Sequence, residues 1–190
     1  MPSVYLSPST VENEFITGGN EEYYMNLIVD AMIPYLRANG IDFSRNNPGD
    51  NLEQIIAHAN EGNYDLFMAL HSGHMPEATD SPAQGLNVHY YAYTPVGGER
   101  AAFYIAGNLK TIYPYPDLVA VVPADTAEVR DPDAPAVSVE LGYLGNPEDE
   151  NWMKQNINTI AKNLVFSITQ YLNLPFIDIS YPSSQKGHSS

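Results

Sequence analysis

No cysteine occurs in the 190 residues, so disulfides and thiolate metal ligands are excluded and any metal must be held by His, Asp or Glu. Basic side chains are scarce as well: 8 Lys and Arg stand against 23 Asp and Glu, a formal net charge of −15. Such a surface repels phosphate backbones and argues against nucleic-acid binding through a basic groove. Long apolar runs are missing too. None approaches the roughly 18 to 20 residues of a membrane helix, so no membrane span is expected. Met1-Pro2-Ser3-Val4 lacks the basic stretch and apolar core of an export signal, and no signal peptide is expected.

Against these absences, the apolar content of 44% suffices for one domain with a substantial core. Residues 1–178 are expected to form it, with 179–190, Ser-rich and aperiodic, as a flexible tail or linker. Val4-Tyr5-Leu6 reads as a first strand entering the Ser7-Pro8-Ser9-Thr10 loop. A helix follows Asn20, with Met25, Ile28, Met32 and Tyr35 at helical steps, Glu21 and Glu22 in its first turn and a kink expected near Pro34. Ile41 to Arg45 is a weak strand, Leu52 to Ala59 a short helix, and Asp65 to His71 an apolar run that fits a strand buried on both faces. Strands near Val88, Leu118 and Ala136 alternate with a helix over 99–112 and a last helix over 147–172. The alternation predicts an α/β fold, a mainly parallel sheet flanked by helices on both faces.

In such sheets chemistry gathers at the carboxyl ends of strands. Three residues lie near such ends or open the next helix: Glu22, His71 and Glu140. His71 closes the apolar strand before Ser72-Gly73, and Glu140 interrupts an otherwise apolar strand, where a carboxylate must be paired, metal-bound or protonated. Each also has a structural explanation, an imidazole bonded to a carbonyl or a glutamate facing a helix dipole, and none decides alone.

Read together, the segments resemble the family-3 N-acetylmuramoyl-L-alanine amidases over nearly all of Val4 to Leu172. Residues 135–146, Pro-Ala-Val-Ser-Val-Glu-Leu-Gly-Tyr-Leu-Gly-Asn, are similar to that family's Pro-Ala-Val-x-Val-Glu-x-Gly-Phe-x-x-Asn signature. The resemblance implies the phosphorylase/hydrolase-like zinc-amidase architecture and hydrolysis of the amide between N-acetylmuramic acid and L-alanine of peptidoglycan. It implies Glu22 and His71 as zinc ligands, Glu140 as general base, and Arg130 as a residue that orients Glu140 or meets a substrate carboxylate. The stem peptide and glycan would be partners, in an extracellular, cell-wall or spore-envelope location.

The chain departs from the pattern at Thr10, which stands where the family has its first histidine ligand. A neutral hydroxyl is a poor zinc ligand, so a third donor is expected from His74, or from Glu12 or Glu14. A non-catalytic peptidoglycan-binding or regulatory protein that lost a ligand is the alternative. His58 reads as a surface residue, His89 as a packing or groove residue, and His188 as part of the tail.

Overall fold

The computed structural model describes residues 1–74, 83–93 and 97–180. Six strands form one sheet: β1 (Ser3–Pro8), β2 (Asp42–Arg45), β3 (Leu66–Gly73), β4 (Leu86–Tyr91), β5 (Val119–Ala124) and β6 (Ala136–Tyr143), in the order β2-β1-β3-β6-β4-β5. Every neighbouring pair is parallel except β4 with β6, which is antiparallel, so β4 and β5 run against the other four. The expected mainly parallel α/β sheet is thus present.

Between the strands lie α1 (Glu21–Ala38), α2 (Leu52–Asn60), α3 (Gly97–Leu109) and the short α4 (Ala127–Arg130), and α5 (Pro147–Gln155) and α6 (Ile157–Tyr171) follow β6. Strand alternation divides the core in two. Val4 and Leu6, Leu66, Met68 and Leu70, and Val137, Val139 and Leu141 face α1, α3 and α6 in the larger cluster. Tyr5, Phe67, Ala69 and Ala136 face Ile55 and Ala59 of α2 and Val129 of α4 in a smaller one. Leu66 through Leu70 are all fully buried, as a central strand covered on both faces requires. Each large side chain among them contributes about 1.5–3 kcal/mol by leaving water.

One helix is continuous past its proline and another is divided. α1 runs unbroken through Pro34, because Met32 and Leu36, both fully buried, hold the helix across the one missing backbone bond. The single helix expected over 147–172 is two, parted at Asn156. Its side-chain amide donates to the Trp152 carbonyl at 2.7 Å, and this local bond competes with continued helix geometry. At the far end Ser180 meets the Tyr35 hydroxyl, so the chain is still packed on α1 at the start of the expected tail; residues 181–190, with His188, lie outside the described residues.

Candidate active site

The apolar cover of the α2/α4 face stops short of the carboxyl ends of β3 and β6. Two residues beyond Ala69 on that face stands His71, and two beyond Ser138 stands Glu140; their Cα positions are partners in the parallel register. β4 arrives from the opposite direction, which sets Asn87 against Glu140 and His89 against Ser138. His71, His89, Ser138 and Glu140, with Glu21, Ser72, His74 and Glu128, line an open cavity of about 370 Å³.

His71 is held between two carboxylates. Its Nε2 is 2.6 Å from Glu128 Oε1 on α4, and its Nδ1 is 3.4 Å from Glu21 Oε1 at the start of α1. Burial disfavours the charged ring, but the bonds and charges of Glu128 and Glu21 outweigh it and push the His71 pKa up to about 10. Glu21 is fully buried and also accepts from the Ser72 N–H at 3.0 Å and the Asn13 side chain at 3.1 Å. Burial pushes this carboxyl up, while His71, Ser72 and Asn13 bring it below the ordinary value. Glu128 is shifted down likewise: burial opposes, and His71 and the Ser138 hydroxyl, 2.8 Å from Oε2, prevail.

Glu140 forms the second half of the site. Its Oε2 accepts from the Asn87 amide at 3.2 Å, and the same amide donates to the Tyr143 hydroxyl at 3.0 Å. His89 Nε2 lies 3.1 Å from Oε1, although its direction misses the oxygen and this buried nitrogen makes no hydrogen bond among the described residues. Gly73 leaves the space that Glu140 uses: a Cβ there would sit 3.0 Å from Oε2 and 3.2 Å from the Tyr143 ring.

His71 and Glu140 therefore share one cleft, but Glu22 does not join them. Its carboxylate accepts from the Asn26 side chain at 3.0 Å, one turn along α1, and it does not line the cavity. Glu21 takes that place. One residue turns a helix by about 100°, and Glu21, four before buried Met25, continues the core stripe while Glu22 falls beside it. The buried positions of α1 thus carried the signal. Arg130 is also elsewhere, paired with Asp125 at 2.9 Å and Asp131 at 2.7 Å, and orients neither Glu140 nor the cleft. His58, on the surface, faces Asp50 at 3.3 Å. Glu128 and Asn87 gave no sequence signal: α4 is too short to show periodicity, and the reversed direction of β4 is not written in its residues.

The donors fit zinc only in part. Glu21 and His71 are spaced as two ligands of one tetrahedral ion would be, with bonds of about 2.0–2.2 Å. No third His, Asp or Glu completes such a group among the described residues. Thr10 is half-buried, and Glu12, Glu14 and His74 are exposed. Among the described residues the donor set falls short of the three protein ligands of a catalytic zinc.

A carboxylate at the carboxyl edge of a mainly parallel sheet, facing an open cleft beside two imidazoles, defines a hydrolase-type site. The chain belongs to the N-acetylmuramoyl-L-alanine amidase family (Amidase_3), whose family model matches residues 10–170. Its members are amide hydrolases acting on peptidoglycan. Among solved structures it is similar to the amidase AmiC2 of Nostoc punctiforme, at 20% identity and TM-score 0.76, covering 90% of this chain and 97% of that one. The amidase of Clostridium difficile 630 gives 17% identity and TM-score 0.79 with the same coverage. The catalytic domain of CwlV from Bacillus (Paenibacillus) polymyxa gives 18% and 0.76, covering 92% and 100%. No curated protein matches the chain.

Proposed function

We propose that this chain hydrolyses the amide between the lactyl group of N-acetylmuramic acid and the L-alanine of the stem peptide, with Glu140 carrying the proton. The observation behind this role is the setting of Glu140. It is the carboxylate of the cleft that neither pairs with His71 nor lies deep in the core, with 24% of its side chain open to solvent. As base it takes a proton from the attacking water while oxygen bonds to the carbonyl carbon. As acid it returns that proton to the alanine nitrogen as the C–N bond breaks, leaving a lactyl carboxylic acid and a free amine, and the acid's proton then passes to the amine to give carboxylate and ammonium. His71, held between Glu21 and Glu128, fixes the neighbouring wall of the cleft.

Amidases of this family are generally zinc enzymes. Among the described residues, Glu21 and His71 are the donors offered toward a metal, and they do not make a three-ligand site. The proton transfers of Glu140 therefore stand on the side chains alone. Glycan and stem peptide are the partners that the family's substrate supplies, and peptidoglycan puts the action outside the cytoplasmic membrane, in a cell wall or spore envelope. No described helix is long and apolar enough to cross a membrane.

The test is the release of free L-alanine amino groups from purified peptidoglycan. Glu140→Gln keeps the shape and should lower the rate by about 100-fold or more, with binding to peptidoglycan retained. Full activity in Glu140→Gln, or binding without hydrolysis by the wild type, would overturn the assignment.

A further inference from the structure

We propose that His89 is a positioning residue for Glu140, an inference that rests on Glu140 acting as the proton carrier. Antiparallel pairing of β4 with β6 places Asn87 and His89 on the same face as Glu140. The two oxygens of Glu140 each face one nitrogen: Oε2 meets the Asn87 amide at 3.2 Å and Oε1 meets His89 Nε2 at 3.1 Å. A glutamate has three side-chain torsions, and contacts at both oxygens hold them in one arrangement before substrate arrives.

Among the described residues, His89 Nε2 has no better partner. The other nearby carboxylate, Glu128, already receives His71 on one oxygen and Ser138 on the other. Nε2 of His89 is buried, close to Oε1, and misaligned for a hydrogen bond. A buried donor left in that state costs free energy unless it is used. Contacts of this kind are often long or off-axis in a free enzyme and tighten when substrate closes the site. A small rotation of the imidazole brings N–H onto Oε1, so that Glu140 is gripped from both sides while it exchanges its proton.

The experiment compares His89→Ala, His89→Gln and Glu140→Gln on a soluble muramyl peptide. Glutamine places an N–H near the position of Nε2. His89→Ala should lower kcat by about 10- to 100-fold with KM within about twofold, and His89→Gln should recover most of the loss. If Glu140→Gln is inactive while His89→Ala keeps the wild-type kcat, the positioning role is wrong and the proposed function stands. Equal losses in His89→Ala and His89→Gln would mark a merely structural residue and also overturn it. An active Glu140→Gln refutes the proposed function itself. A measurement without turnover guards the remaining case. In protein labelled with ¹⁵N-histidine, the Nε2 resonance of His89, identified by its loss in His89→Gln, should move on Glu140→Gln. An unmoved resonance would show that the two side chains do not interact.

Discussion

Replacing Glu128 tests how His71 is held. The pair is close, 2.6 Å between Nε2 and Oε1, and poorly solvated, with 25% of the His71 side chain and 15% of the Glu128 side chain exposed. Removing one partner of a buried ion pair costs about 3–5 kcal/mol, since the other charge is left without compensation. Glu21 remains 3.4 Å from Nδ1 and softens the loss, which puts Glu128→Ala near the low end, at about 3 kcal/mol. Glu128→Gln can still accept from His71 and offer its amide to the Ser138 hydroxyl, so only the charge is removed and the cost is about 1 kcal/mol. For a chain of this size each kcal/mol moves Tm by about 2–4 °C, giving drops of roughly 6–12 °C for alanine and 2–4 °C for glutamine. The pH dependence has a definite sign. The lowered Glu128 contributes above its ordinary 4.5 and loses that contribution as pH falls through the folded value. The raised His71 contributes fully below its ordinary 6.5 and loses it as pH rises through about 10. Differential scanning calorimetry of the metal-free protein near pH 6 should thus show the largest difference between wild type and Glu128→Ala, with smaller ones at pH 3 and pH 10. Identical melting of the alanine and glutamine variants, or a drop below about 2 °C for alanine, would refute charge pairing as the restraint on His71.

Gly73→Ala should push on Glu140 Oε2 and the Tyr143 ring, because the added Cβ falls 3.0 Å and 3.2 Å from them. A carboxylate displaced by a few tenths of an ångström should lose roughly 3- to 30-fold in kcat, and an unchanged kcat would show that Glu140 has room to spare. Zinc must displace the His71 proton to bind, so calorimetric titration should show weak binding at pH 6 that tightens by up to about tenfold per pH unit, with proton release, and is absent in His71→Ala. Tight zinc binding at pH 6 without proton release would mean that a third donor comes from outside the described residues.

The sheet was legible because its apolar runs have only one place to go. Residues 66–70 leave no polar face, so the strand must be central, and the same holds for the start of β6. The orientation of β4 was not legible. Its alternating residues, Leu86 and Val88 inward on one face and Asn87 and His89 on the other, read identically in either direction along the sheet. Parallel β4 would have set different residues against Glu140. The antiparallel choice is fixed by tertiary pairing with β6, which no pattern within six residues encodes.

The site divides along the same line. His71 and Glu140 stood out because each is a polar residue interrupting an apolar strand, a conflict that sequence periodicity exposes. Glu21 and Glu22 are adjacent acids at a helix start, and there family resemblance competes with helix phase. The family resemblance favoured Glu22. Phase favours Glu21, because a side chain four before Met25 must enter the core, and a carboxylate forced into the core needs partners such as His71, Ser72 and Asn13. Burial outranks resemblance here because an unpaired buried charge costs several kcal/mol, whereas a surface glutamate is nearly free to be anywhere. His89 shows the converse limit. An imidazole in a strand of alternating aromatics carries no conflict to notice, and it becomes a candidate for chemistry only once β6 sets a carboxylate 3.1 Å from its Nε2.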